Sequence, residues 1–225
     1  MKIYTAYSES HKRFLPWFNT IHDVDPDVSI SYFELEQQCP TGEFKNQGWN
    51  QVTGKKLQKM VEIFDEDSND DCFIFSDVDV QFFSSVSKLA KKALTNHDIV
   101  FQNDYYGAEC TGFFYCKKNA KTKVMFQKAL EIVNTYGDKN TPGPGGDQEA
   151  IQSALKICGS SITRAFLPPQ FFTFGMFYDH WKGQEVFPIP KGIVMHHANW
   201  VIGIENKIKL LQAVRNNYNN NNFLK

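Results

Sequence analysis

The stretch Cys72-Phe73-Ile74-Phe75-Ser76-Asp77-Val78-Asp79-Val80 constrains this chain more than any other. Four successive apolar residues follow the polar turn Asp65 to Asp71, which reads as a strand buried on both faces in the middle of a sheet. Two carboxylates then appear two positions apart. On an extended backbone, residues i and i+2 point to the same side, so Asp77 and Asp79 emerge together while Val78 points away. In open α/β sheets, ligands bind at the C-terminal ends of strands. Like charges held so close repel, and a divalent cation is the natural compensation. A solvated acidic turn gives the same letters, so the pair alone leaves both readings open.

The remaining pattern alternates strands with helices. Ile3 to Tyr7 reads as a first strand, and Val28, Ile30 and Tyr32 alternate with polar neighbours as a second. Leu57, Met60, Val61 and Phe64 fall at i, i+3, i+4 and i+7, the spacing of an amphipathic helix. A helix around Leu89 to Leu94 precedes a strand at Ile99-Val100-Phe101, and Gly112 to Cys116 is again strand-like. Asn119 is placed to cap a helix running to Tyr136 with a stop at Gly137. Thr141-Pro142-Gly143-Pro144-Gly145-Gly146 cannot be regular structure and is expected to be a mobile loop. Asp147 opens a further helix, Ile193-Val194-Met195 leads into two histidines, and Ile204 to Val214 forms a last helix. The Asn-rich end, residues 216–225, is expected to fray. The reading is one α/β domain over residues 1–215, Rossmann-like, with a central mixed, mostly parallel sheet flanked by helices.

Composition sets limits on partners. The 24 basic side chains nearly balance 25 acidic ones, so no global field attracts nucleic acid or anionic lipid. An anionic ligand must be held locally. Cys39, Cys72, Cys110, Cys116 and Cys158 are scattered with no CxxC pair, which argues against a zinc site and for a reducing compartment. The first residues run straight into a strand, without the pattern of a leader. No apolar run approaches the roughly 20 residues of a membrane span. A soluble cytoplasmic protein is expected.

An apolar strand ending in Asp-x-Asp resembles the hallmark of the GT-A glycosyltransferases, whose pair binds Mn²⁺ or Mg²⁺ and the sugar nucleotide. Further motifs resemble one group among them, the nucleotide-diphospho-sugar transferases that attach galactose, glucose or xylose. Lys56 to Phe64 resembles the Lys-led helix before that strand. Cys110-Thr111-Gly112-Phe113-Phe114 resembles the strand with a Gly-Phe step, and Asp147-Gln148 the Asp-Gln pair opening a helix. His197-Ala198-Asn199 with Gly203 and Lys207 resembles the closing His-x-Asn, Gly and Lys. The likeness spans nearly the whole chain in order. It departs at Cys110, where many relatives carry Asn, which puts an amide contact to the sugar there in doubt. A packing role suits Cys110 better than a nucleophile's.

The resemblance implies a transferase moving a hexose or pentose from a UDP-sugar to a glycan or protein acceptor, in a mostly retaining group. It implies a metal on Asp77, Asp79 and His197. His197 is preferred to the adjacent His196 because of Asn199, and because successive strand residues face opposite ways. An imidazole ligand tilts the choice toward Mn²⁺, and its need to be neutral predicts weaker metal binding as pH falls through about 6.5. Thr5, Ala6, Tyr7, Lys56, Val78, Thr111, Gly112, Asn199, Gly203 and Lys207 are the implied donor-binding positions, with Lys207 on the diphosphate. Asp147, Gln148 and Asp104 are the catalytic candidates near the donor sugar. Each has a plainer reading: Lys56 and Lys207 sit among other lysines, Asp147 serves equally as a helix cap, and Tyr7 equally as core.

Three other classes compete. Asp-Val-Asp-Val also resembles the first motif of haloacid-dehalogenase phosphatases, with Asp77 as nucleophile. That motif usually lies near the N-terminus, whereas 76 residues precede Asp77. A sugar-nucleotide pyrophosphorylase wants a Gly-rich basic loop where Ser8-Glu9-Ser10-His11 stands. A sugar-nucleotide-binding protein without turnover is not excluded by any sequence feature.

Overall fold

Side-chain alternation along the central strands builds an apolar layer on each face of one sheet. A computed structural model of the chain describes residues 1–40, 46–67, 70–104, 107–136, 146–178 and 180–224. In chain order come β1 (Lys2–Ser8), α1 (Leu15–Phe18), α2 (Ile21–Val24), β2 (Ser29–Leu35), α3 (Trp49–Glu62), β3 (Cys72–Asp77) and β4 (Val80–Phe82). Then follow α4 (Ser87–Ala93), β5 (Ile99–Asn103), β6 (Glu109–Lys117), α5 (Ala120–Tyr136) and α6 (Asp147–Cys158). The last are β7 (Arg164–Phe166), β8 (Phe171–Thr173), β9 (Met195–His197) and α7 (Ile204–Asn219).

The main sheet has the order β2-β1-β3-β6-β5-β7. β6 runs antiparallel to both neighbours, and the other pairs are parallel. In β3, Phe73 and Phe75 face α3, α5 and α6, packing with Leu57, Phe126 and Ile151. Ile74 faces the other way, into a core shared with Val86, Phe171, Leu210 and Leu211. Phe75 and Phe126 both stack on Phe114, with ring centroids 5.6 and 5.7 Å apart. Fully burying each such ring is worth about 1.5–3 kcal/mol.

A second sheet, β4-β9-β8, continues beyond the end of β3. Its three-residue strands lack any legible periodicity, and it brings two distant segments of the chain to the ends of the main strands. The Asn119 cap forms as expected, its Oδ1 accepting from Lys121 N and Thr122 N at 3.0 Å each. Gly137 and most of the expected mobile loop lie outside the described residues.

The expected fraying of the C-terminus is corrected. α7 continues to Asn219, and Asn217 is buried. Its Nδ2 donates to the Glu185 and Ala213 carbonyls at 2.8 Å, and its Oδ1 accepts from Phe187 N at 3.2 Å. Leu224 N donates to Ile189 O at 2.8 Å, tying down the end. Composition reads an Asn run as solvated, but here the amide is satisfied inside the protein. Asn217→Ala should cost about 1–3 kcal/mol by leaving buried groups unpaired. The check is a lower urea midpoint at unchanged slope.

Candidate active site

The site forms where the two sheets meet. β3 ends at Asp77, and the chain turns through Val78 and Asp79 into β4. β4 pairs antiparallel with β9, with Val80 opposite His197, and Ala198 N donates to the Asp79 carbonyl at 3.0 Å. This register sets His197 Nε2 at 3.4 Å from Asp79 Oδ1 and 3.8 Å from Asp77 Oδ2. One donor atom from each of the three lies within 4.8 Å of the others. Two carboxylates and an imidazole suit Mg²⁺ or Mn²⁺, and the nitrogen favours Mn²⁺. The buried Val78 side chain stays off this group.

The imidazole is oriented by a residue that sequence reading passed over. Gln102, fully buried at the end of β5, donates Nε2 to the Phe171 carbonyl at 3.2 Å. That leaves its Oε1 to accept from His197 Nδ1–H at 3.0 Å, so Nε2 is the nitrogen turned to the carboxylates. The β5–β6 ladder slips between Phe101 and Gln102, the kind of bulge that re-aims a side chain. Burial disfavours a charged His197, but the Asp79 carboxylate outweighs it and raises the pKa to about 10. Asp79, although buried, is held well below the ordinary carboxylate range by Lys207 and His197.

His196 faces the other way. It packs on Phe172 and lies 3.3 Å from Gln81 Nε2, and burial followed by the His197 charge pushes its pKa down to about 3. It is a neutral packing residue.

Gly112 is where the backbone must be bare. A Cβ there would lie 2.1 Å from His197 Cε1 and 2.9 Å from Asp77 Oδ2. The glycine of the Gly-Phe step therefore makes room for the cluster itself.

Two lysines neutralise the carboxylates. Lys56, buried on α3, bridges Asp77 Oδ1 at 2.6 Å and Asp147 Oδ2 at 2.8 Å. Its neighbours Lys55 and Lys59 instead form exposed pairs with Glu36 and Glu62. Lys207, one turn into α7, pairs with Asp79, and Gly203 precedes that helix at φ 89°, a conformation that favours glycine. Asp147 is not the helix cap: Gly146 takes that position, with its N–H donating to Glu149 Oε2 at 3.1 Å. Asp147 turns inward to Lys56 and accepts from Thr111 Oγ1 at 3.2 Å.

A second carboxylate hub lies beside the first. Gln148 Nε2 donates to Asp104 Oδ2 at 3.2 Å, and Asn199 Nδ2 donates to Asp104 Oδ1 at 3.1 Å. Trp200 Nε1 also donates to Asp104, a contact with no signature in the residue pattern. Trp200 holds φ 61°, which costs a bulky side chain on the order of 1–2 kcal/mol and persists only where surroundings enforce it. Cys110 Sγ lies 3.7 Å from His197 Nδ1, and burial pushes its thiol pKa up, against a nucleophile's role. Thr5 and Ala6 lie within β1 beside β3, in register with Ser76 and Asp77. Tyr7 packs edge-on against Tyr32 at 6.2 Å.

Comparisons with known proteins agree with this architecture. The galactosyltransferase LgtC, solved with donor and acceptor sugar analogs, is 12% identical with a TM-score of 0.53, over 88% of this chain and 86% of that one. The glycosyltransferase GlyE of Streptococcus pneumoniae TIGR4 is 13% identical with a TM-score of 0.57, over 98% of this chain but 63% of its own. A glycosyltransferase involved in glycosylation of the major capsid of PBCV-1 is 8% identical with a TM-score of 0.56, over 95% and 97%. A search of curated proteins returns no significant match. At such identities the likeness shows a fold, and the fold is that of the GT-A glycosyltransferases. The family profile described as nucleotide-diphospho-sugar transferase matches residues 20–211, and the chain belongs to that family. No helix among the described residues is long and apolar enough to cross a membrane.

Proposed function

We propose that the chain transfers a hexose or pentose from a UDP-sugar to a glycan or protein acceptor, with retention, using Mn²⁺ or Mg²⁺ on Asp77, Asp79 and His197. The convergence of those three side chains carries the reading. When bound, the cation supplies charge neutralisation for the departing diphosphate. Lys207 moves from Asp79 onto the diphosphate, and the start of α7 past Gly203 offers free N–H groups to it. Lys56 keeps Asp77 and Asp147 apart in charge and fixed in position. Thr5, Ala6 and Tyr7 line the nucleotide side, and Thr111, Gly112 and Asn199 line the sugar side. Asp147, Gln148 and Asp104 orient the donor sugar for attack. A reducing, cytoplasmic setting, read from the scattered cysteines of the sequence, is part of the same proposal.

His197→Ala should raise the Mn²⁺ requirement of UDP-sugar hydrolysis by at least about 100-fold, since a lost ligand costs more than the roughly 10–100-fold of a disturbed outer shell. His196→Ala should alter stability and leave that requirement in place. The reverse pattern in activity against Mn²⁺ concentration would sink the assignment.

The Asp79 contact moves the expected pH dependence above that of an ordinary histidine. Proton and cation compete for Nε2, so with the pKa raised to about 10 the protonated form dominates at neutrality. Mn²⁺ affinity should keep rising between about pH 6.5 and 8.5, by up to about tenfold per unit, with release of a proton. Calorimetry in buffers of different ionisation enthalpy reads that proton, and a flat affinity above pH 7 would contradict it.

A further inference from the structure

One conspicuous side chain beside the cluster has no role in holding the cation or the diphosphate. Trp200 is 54% exposed, although it stands next to Asn199 and its indole N–H is fastened to Asp104. It is also one of two non-glycine residues among those described with positive φ. Ile202, two residues on, is also exposed, at 64%. An indole has an apolar π face and a polar edge. Here the edge is anchored inward on the carboxylate that also binds Gln148 and Asn199. The ring is thereby held in a set orientation while more than half of the residue meets solvent. Neither core packing nor a merely structural hydrogen bond calls for a strained, exposed tryptophan.

We propose that Trp200 is a platform on which a pyranose ring stacks, positioning a sugar against the Asp104 hub. The inference rests on the transferase reading and adds a sugar-binding residue to it. Stacking on a ring face tolerates different hydroxyl arrangements, so simple glycosides serve as probes. The ring belongs either to the donor or to the acceptor, and the test separates the two.

The protein has four tryptophans, Trp17, Trp49, Trp181 and Trp200, and hence four indole N–H resonances, with that of Trp200 assigned by its loss in Trp200→Phe. UDP, UDP-glucose and UDP-galactose are titrated with Mn²⁺. Methyl β-D-glucopyranoside and methyl β-D-galactopyranoside are titrated with and without UDP and Mn²⁺. A shift of the Trp200 line with the UDP-sugars beyond that with UDP assigns the platform to the donor sugar. A shift with the methyl glycosides assigns it to the acceptor. Trp200→Leu should weaken the responsible sugar about fivefold to tenfold while UDP affinity is kept, and Trp200→Phe should restore most of that loss. A structural role alone would change the melting temperature without separating sugar from UDP. If UDP shifts other resonances but no sugar moves the Trp200 line, the platform is wrong and the transferase reading stands. If UDP with Mn²⁺ perturbs nothing, the transferase reading fails, and the glycosides titrated alone still decide whether the indole binds a pyranose.

Discussion

Gly112→Ala should abolish Mn²⁺-dependent UDP binding while the fold survives. The added methyl would lie 2.1 Å from His197 Cε1, 2.8 Å from His197 Nδ1 and 2.9 Å from Asp77 Oδ2. The imidazole cannot yield easily, because Gln102 and the β9 backbone hold it. Relief must come from displacing His197 or Asp77. Overpacking of this kind costs about 1–3 kcal/mol of stability. The larger effect falls on affinity, at least about 100-fold, since displaced ligands lose more than a perturbed outer shell does. Titration calorimetry with circular dichroism on the same sample separates the two effects, and wild-type affinity in a folded variant would rule out this packing.

The second large effect is expected at Lys56. Its ammonium is enclosed between Asp77 and Asp147, and it lies 5.6 Å from the Phe75 ring centroid. Burial disfavours its charge, but the two carboxylates together raise its pKa above the ordinary lysine value. Lys56→Met keeps the volume and strands two carboxylates, one of them buried, so the cost should be about 3–5 kcal/mol. For a domain of this size that lowers the melting temperature by about 10 °C. Lys55→Met, which breaks an exposed pair with Glu36, should stay within about 0.5 kcal/mol. Adding Mn²⁺ should recover part of the Lys56→Met loss by neutralising Asp77. Equal melting temperatures for the two variants would show that Lys56 is not a structural counter-ion.

The sequence carried the parts of this site that depend on local spacing. Asp77 and Asp79 share one strand end, and the His196/His197 choice follows from alternation along a strand. The apolar run before the carboxylates located the sheet for the same reason, since burial on both faces leaves a continuous signature. What was not legible depends on long-range meetings. Gln102 reaches His197 across 95 residues, and no spacing announces that contact. Trp200 reads as an ordinary aromatic until Asp104 is seen beside it. Strands of three residues, such as β4 and β9, are too short to show a period, so the second sheet went unread. Asp147 as a cap and the Asn-rich end as a frayed tail were both compositional inferences. Tertiary partners overrode each: Lys56 draws Asp147 inward, and Phe187 and Glu185 satisfy Asn217.

The central claim is that Asp77, Asp79 and His197 together hold a divalent cation that recruits a nucleoside diphosphate. Calorimetric titration of UDP into the wild-type protein and into Asp79→Asn, each with Mn²⁺ and with chelator, tests it most directly. The account predicts tight binding only for wild type with Mn²⁺, and a loss of about 3–4 kcal/mol in the variant or under chelation, comparable to the several kcal/mol a cation supplies to phosphoryl oxygens. UDP binding equally well to Asp79→Asn, or to wild type under chelator, would contradict it.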